Sequence, residues 1–323
     1  MISRRVLLSG AASVSAFGIR CALAESWPER PVTIIVPFAA GGNTDGIARM
    51  MAQWLGDIFG KPFVVENRPG AGGAIAAEVV AKAQPDGYTL FVAALPVVAI
   101  VPVLNKVNFD PQKDLAPISN VATNPFVLVV NKDLPIKTLK DFVDYVGQRK
   151  DQLSYSSGGV GSLNHLSMAL FLKQAGLTMT HVPYKGNAPA LADVVAGHVP
   201  TMFSNLSDAL PQVQGGTIRM LAVSGETRSP LAPQIPTVAE SGYPNYKVLT
   251  WNGLMAPAGT PPEIIEKLAR EIAIAVKDPK FKLQLVQYGV DPLGSTPSEF
   301  KAMVARDIAI WTEAINVAGL KQN

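Results

Sequence analysis

Short apolar runs alternate with helical stripes along almost the whole chain, and this alternation limits the fold more than any other feature. Val32-Thr33-Ile34-Ile35-Val36 has the length and β-branching of a strand buried on both faces. Ile47, Met50, Met51, Trp54, Leu55, Ile58 and Phe59 then recur at the spacing of one helix face. Strands over 63–65 and 88–93 flank a helix over 74–83, and a strand over 126–130 leads into a helix over 139–148. The pattern restarts at 153–156, with helices over 163–174 and 189–196, and strands over 179–184, 201–203 and 218–223. A strand over 248–255 and three final helices, from Pro261-Pro262, Pro279 and Pro297, complete the chain. Strand–helix–strand alternation predicts an α/β fold with parallel-rich mixed sheets.

The restart implies two units. Crossings near residues 125 and 247 make the first unit discontinuous, 25–125 plus 248–323, with 126–247 as the second. Two strand-like crossings at such a boundary form a hinge, and a hinge lets two lobes close around a ligand.

Each unit joins its opening strand to its helix by a loop of glycines and hydroxyls. These are Phe38-Ala39-Ala40-Gly41-Gly42-Asn43-Thr44-Asp45 and Ser156-Ser157-Gly158-Gly159-Val160-Gly161-Ser162. Glycines let backbone N–H groups approach a ligand, and a helix start adds unpaired donors with partial positive charge. One helix terminus returns only about 0.3–1 kcal/mol, so holding a desolvated carboxylate takes several donors from both loops. Ordinary strand–helix turns would have a similar composition. Asn43 or Thr44, and Ser162, are the expected N-caps. Asp45 suits either a helix start or a ligand amine, with the helix start favoured. A third loop, Arg68-Pro69-Gly70-Ala71-Gly72-Gly73, has Ile75 where a dinucleotide fingerprint needs its last glycine, and it lacks a phosphate-loop Gly-Lys-Ser/Thr.

The remaining composition narrows the function classes. Arg4 and Arg5, an apolar run over 6–19 and Ala22-Leu23-Ala24 read as a cleavable export signal, 1–24, of either the Sec or the twin-arginine type. The expected location is therefore the periplasm. Without that segment, 25 basic residues face 25 acidic ones, which leaves no basic field for nucleic acid. The single cysteine, Cys21, leaves with the signal, which excludes thiol chemistry and disulfides. His165, His181 and His198 have no metal-ligand spacing. Ser162 and His165 lack the Gly-x-Ser-x-Gly setting of a hydrolase. No metal, no cofactor and no catalytic set is expected.

Seven stretches, in order, carry a resemblance. They are Trp27-Pro28-x-Arg30-Pro31; the loop from Pro37 to Asp45; Glu66-Asn67-Arg68-Pro69-Gly70-Ala71-Gly72-Gly73; Pro85-Asp86-Gly87-Tyr88-Thr89-Leu90; His181-Val182-Pro183-Tyr184-Lys185-Gly186; Ile235-Pro236-Thr237-Val238-Ala239-Glu240-Ser241-Gly242; and Gly253-Leu254-Met255-Ala256-Pro257-Ala258-Gly259-Thr260-Pro261. Together the chain resembles the tripartite tricarboxylate transporter receptors, or Bug receptors. The resemblance implies a two-lobed periplasmic binding protein of type II-like architecture, which captures a small organic carboxylate and hands it to integral-membrane permease subunits. A monomer is expected. Matching positions imply ligand contacts from Phe38, Ala40, Gly42, Asn43, Thr44 and Asp45, and from Ser157, Gly158, Gly161, Ser162 and His165, with Lys185 at a strand end.

Two departures stand out. Ser204, in Met202-Phe203-Ser204-Asn205, replaces an aspartate common in relatives and is expected to contact the ligand without its charge. Leu95-Pro96-Val97-Val98-Ala99-Ile100-Val101-Pro102 replaces small polar residues, and as an apolar cleft wall it would favour a monocarboxylate or a long-chain or aromatic acid. An exported enzyme acting on a carboxylate, or a sensor feeding a signalling receptor, are the other two readings.

Overall fold

The computed structural model describes residues 27–38, 40–184 and 186–320, so the export signal and Lys185 lie outside the described residues. The strands are β1 (Val32–Val36), β2 (Phe63–Asn67), β3 (Thr89–Ala94), β4 (Leu115–Asn131), β5 (Ser154–Ser157), β6 (Thr180–Pro183), β7 (Thr201–Asn205), β8 (Ile218–Val223), β9 (Leu249–Pro257) and β10 (Asp291–Pro292). The helices are α1 (Asn43–Phe59), α2 (Ala74–Ala81), α3 (Val101–Leu104), α4 (Leu139–Gly147), α5 (Leu163–Ala175), α6 (Asn187–Ala196), α7 (Leu206–Gln214), α8 (Pro262–Ala275), α9 (Pro279–Gln287) and α10 (Pro297–Val317).

One sheet runs β2-β1-β3-β9-β4-β10. β1 pairs in parallel with β2 and β3, with Val32 opposite Phe63 and Thr33 opposite Thr89. Beyond Pro125, which faces Leu249, β4 changes partners: Phe126 faces Asn205 of β7, and Leu128 also faces Ala222 of β8. β5 and β6 form a second parallel pair, which packs beside β7. The antiparallel pairs all involve β4 or β9. The parallel pairs are those whose strands are joined through helices, as parallel pairing requires.

The two crossings meet at Ser224, which is fully buried. Its N–H donates to Phe126 O at 2.8 Å, its Oγ accepts from Phe126 N–H at 2.9 Å, and the same hydroxyl donates to Val248 O. One small side chain therefore ties together β4, the end of β8 and the approach to β9, where the chain passes between lobes.

Three core clusters follow. One lies between β1, β3, β9 and helices α1, α8 and α9, around Ile34, Leu55, Leu254 and Leu268. A second lies in the other lobe, around Val127, Val194, Met202 and Leu206. The third runs through both lobes and includes Trp311 and Ile315 of α10, which packs on α5 as well as on β4. α10 starts in a capping box between Thr296 and Glu299. Gly253 has to be small in this layer, because a Cβ there would stand 2.2 Å from Phe300 Cζ. Trp251 fixes the same wall by donating to Asp307 at 2.7 Å.

Three segments differ from the sequence expectation. β4 begins eleven residues before the expected 126, because its polar first half finds partners in β9, and register shifts at Pro117–Ser119 and Asn120–Ala122 absorb the mismatch. α7, which the sequence reading missed, forms despite Pro211 inside it. Residues 95–104 form a π-helical turn and α3 rather than an apolar cleft wall. Leu95, Val97, Val98 and Ala99 are fully buried, Val97 lies against Gly73, and α10 packs over the turn. This run is core, so it gives no preference for an apolar ligand tail.

Candidate functional site

The segment that follows β3 meets the loop that follows β5. Gly161, in the loop after β5, sits so close to Leu104 that a Cβ would lie 2.9 Å from its Cδ1. On the other flank Gly289, in the turn before β10, sits 2.4 Å from Ser207 Cβ by the same measure. These two contacts join the two halves of the chain beside the carboxyl ends of β3, β5 and β7, the kind of strand end at which an α/β sheet receives its ligand.

The first loop is organised by Asp45, which is 3% exposed. Gly41, at φ +89, donates its N–H to Asp45 Oδ2 at 2.9 Å. Arg49 reaches both carboxylate oxygens at 3.0 and 3.1 Å, and Asn67 Nδ2 donates to Oδ1 at 2.9 Å and to Phe38 O at 2.9 Å. Burial raises the Asp45 carboxyl, but the Arg49 guanidinium, the Gly41 N–H and the Asn67 amide outweigh it and hold the group below the ordinary carboxylate range. With its oxygens so engaged, Asp45 shapes the loop in this state.

Gly42 is the N-cap of α1, not Asn43 or Thr44, and no side chain caps this helix start. The polar side chains of the first turn are used elsewhere. Thr44 Oγ1 accepts from Asn252 Nδ2 of β9 at 2.9 Å, both groups being buried, and Asn43 Nδ2 donates to Tyr288 O at 3.4 Å. Ala40, Gly41 and Gly42 are exposed, so the backbone amides at the head of α1 are presented outward. Tyr288 lies over Gly46, where a Cβ would be 2.4 Å from its ring. A larger hollow of about 650 Å³ runs along α1 and β2, past Gln53, Gly56 and Lys61, but touches neither the Gly41–Gly42 turn nor the second loop. A smaller hollow of about 460 Å³ opens on the Gly41–Gly42 turn itself, lined also by Ala40, Asp45, Arg49 and Tyr288.

The second loop is held by neutral groups. Ser157 is fully buried at the end of β5. Its Oγ lies 2.6 Å from His181 Nε2, accepts from Gly159 N–H at 3.1 Å and faces Gly159 O at 3.0 Å. Gly161 N–H donates to His165 Nδ1 at 3.1 Å, and Ser162 caps α5 by accepting from His165 N–H at 3.3 Å. The two imidazoles stack with centroids 3.8 Å apart and planes 7° from parallel, and Tyr155 stacks on His181 at 5.1 Å. Burial lowers His165 to about 4, with the His181 charge as a smaller cause, and burial likewise lowers His181 and raises the Tyr155 phenol.

Beneath this loop lies a polar network. Asn164 Nδ2 donates to Asn187 Oδ1 at 3.0 Å and to Phe203 O at 2.8 Å, while Asn187 Nδ2 donates to Ser204 Oγ at 3.3 Å and to Asp208. Ser204 is fully buried, so it supports Asn187 rather than opening onto the crevice. Gly158 packs tightly here, its Cβ position being 3.2 Å from Asn187 N and Gly186 C.

The structure thus gathers Phe38, Ala40, Gly42, Asn43, Thr44 and Asp45 in the first loop, and Ser157, Gly158, Gly161, Ser162 and His165 in the second. Arg49, Asn67, Asn252, His181 and Asn187 hold those loops and were missed as site residues. Asn252 had a signal, as a polar residue within an apolar strand. The joining of His181 to His165 had none, because the partners sit on different elements.

Residues 47–320 match the tripartite tricarboxylate transporter family receptor. The protein BugT of Bordetella pertussis is 34% identical over 300 residues, 92% of this chain and 92% of its own length. Among solved structures, Rpa4515 of R. palustris with adipate has a TM-score of 0.76 at 37% identity, covering 91% of this chain and 98% of that one. MatC of Rhodopseudomonas palustris with bound malate has a TM-score of 0.72 at 33% identity, covering 90% and 100%.

Proposed function

The chain belongs to the tripartite tricarboxylate transporter receptor family, and from that premise we propose that it captures one small organic carboxylate between its two loops. What supports this reading is a pair of amide-and-hydroxyl loops, one at a strand–helix junction in each half of the chain. One is the uncapped start of α1, and the other is the Ser157–Ser162 turn before α5. The proteins of similar fold solved with adipate and with malate hold ligands of this class. The carboxylate accepts from backbone N–H groups around Gly42–Thr44, from those of Gly158 and Val160 and from the hydroxyl of Ser162, with Phe38 and Ala40 as walls and Lys185 as a further contact. The lobes are 25–125 plus 248–323 and 126–247, with α10 spanning both, and they close about Ser224.

The chain acts as an exported periplasmic receptor. The leader-like pattern of residues 1–24 supports this, and no described helix is long and apolar enough to cross a membrane. It works as a monomer that delivers its ligand to integral-membrane permease subunits, and it carries no catalytic activity. The Ser157–His181 contact does not make a nucleophile. Ser157 is fully buried, its hydroxyl is engaged by Gly159, and among the described residues no carboxylate orients His181.

Mass spectrometry of the purified protein, with thermal shift and calorimetry against adipate, malate and a panel of mono- and dicarboxylates, tests the reading. One acid should bind stoichiometrically and, at a hundredfold excess over its Kd, stabilise the fold by about 2.7 kcal/mol. Turnover of an acid, or binding confined to non-acidic solutes, overturns it. Pull-downs from membranes with and without that acid separate delivery to a permease from presentation to a signalling receptor.

A further inference from the structure

The second loop has no charged group holding it and instead hangs on two stacked imidazoles. Because Gly161 N–H donates into His165 Nδ1, that nitrogen must carry a lone pair, and the ring's single proton sits on Nε2. Protonating Nδ1 would set two N–H groups against each other at 3.1 Å and release Gly161. His181 faces a similar limit. With its partner ring 3.8 Å away and nearly parallel, a second positive charge would stand directly on the first. Its Nε2 also meets Ser157 Oγ, the hydroxyl that takes the Gly159 N–H. The Ser157 hydroxyl gives its own proton to Gly159 O, so His181 holds it as an Nε2–H donor; both ends of the Gly159–Gly161 turn hang on the ring pair, but only the His165 end hangs on a lone pair.

The surrounding charges are occupied elsewhere. Lys173 on α5 pairs with Glu313 on α10 at 2.8 Å. Asp193 on α6 takes the Tyr184 hydroxyl and lies 3.3 Å from His198, and Asp208 on α7 takes Asn187. On β5 the neighbouring titratable group is Tyr155, which stacks on the pair and is uncharged. Among the described residues, His181 is the one group whose charge bears on His165.

We infer that His181 and His165 are positioning residues for the carboxylate loop, and that the receptor holds its ligand only while the His165 ring is neutral, so that acid loosens the turn and releases the carboxylate. This rests on the reading that the second loop takes the ligand. The direction is specific. A histidine that gripped an anion by its own charge would bind more tightly in acid, whereas a histidine whose lone pair holds the loop binds more weakly.

Nitrogen-15 NMR of the ligand-free mature protein between pH 7.5 and 4 tests the loop itself. The expected result is an Nε2–H tautomer for His165 at neutral pH, with the Gly161 amide and the His165 ring nitrogens changing at one shared midpoint. A Gly161 amide that ignores the ring titration, or a His165 with its proton on Nδ1 at neutral pH, overturns the inference. Calorimetry with adipate and malate at pH 7 and 4 gives the second arm, with His165→Gln and His181→Gln compared with the parent at each pH so that protonation of the acid itself cancels. The parent should lose about twofold more affinity than His165→Gln between the two pH values, whatever the absolute affinity of that variant. An equal loss in both proteins, or tighter binding by the parent in acid, overturns the inference. Should neither acid bind, the functional reading loses its support while the NMR arm still decides the loop.

Discussion

In the first loop, Asp45 gathers Gly41, Arg49 and Asn67 around a full negative charge, whereas in the second, His165 and His181 gather Gly161 and Ser157 around two neutral rings. The two turns present the same kind of donors, yet one is held by ionisation and the other by its absence. A donor loop that binds an anion must itself be satisfied by acceptors, or its N–H groups turn inward. A carboxylate does this strongly but puts negative charge near the ligand, and Arg49 offsets that charge in the first loop. Imidazole lone pairs do it without charge, at the cost of sensitivity to protons.

The largest expected effect follows from that sensitivity. His165 lies near 4 in the fold and at 6.5 when unfolded, so the unfolded chain takes up its proton first as the pH drops. The stability due to neutral His165 is fully present above about pH 6.5 and is lost as the pH falls toward 4, by up to about 3 kcal/mol. His181, also lowered by burial, adds in the same direction. Asp45 is lowered instead below 3.8, so its contribution survives that whole window and is lost only as the pH falls further. Urea unfolding at pH 7, 5.5 and 4.5 should show the decline, and His165→Gln should flatten it. An unchanged slope in that variant would assign the decline elsewhere.

Removing the other loop's charge is the converse test. Asp45→Asn keeps the shape but turns a donor toward Gly41 N–H and Arg49, and should destabilise by roughly 2 kcal/mol. Its decline between pH 6.5 and 4 should match the parent's, because the histidine pair is intact. If that decline disappears as well, the two loops are one titrating unit and the contrast between them fails.

Much of this arrangement was legible in the sequence, and what was not has a common cause. The order of strands and helices, both loops and the Ser162 cap follow from local periodicity and turn chemistry. The first half of β4 could not be read, because residues 115–125 mix polar residues and prolines among the apolar ones without a strand period, and become a strand only against β9. Residues 95–102 read as an apolar cleft wall because a short apolar run does not say which face it meets; Gly73 and α10 decide that. Asn43 and Thr44 are good capping residues, but Asn252 and Tyr288 draw their side chains away, and the cap falls to Gly42. In each case a partner distant in sequence outbids a local preference.

A smaller effect probes that competition. Thr44→Val removes the acceptor of Asn252 while keeping the side-chain volume, leaving a buried amide donor unpaired at the base of the first loop. The expected loss is about 1.5 kcal/mol in the midpoint of chemical unfolding. Thr44→Ser, which restores the hydroxyl, should recover most of it. If Val and Ser behave alike, the bond to β9 contributes nothing and the loop is set by Asp45 alone.

The smallest effect comes from a tie of the second loop's helix start that uses no imidazole. Ser162 Oγ accepts from His165 N–H at 3.3 Å, longer than most such caps, and Ser162→Ala should cost about 1 kcal/mol. His165 is gripped twice, at its backbone by Ser162 and at its ring by Gly161, so losing the cap frees the backbone from which the ring is hung. Ser162→Ala should therefore also raise the His165 pKa toward 6.5, because a looser ring is easier to hydrate and protonate. A variant that loses stability without moving that titration would show the stacked pair fixed by His181 and Tyr155 from below. The cap would then serve α5 alone, and the contrast between the loops would rest wholly on the rings.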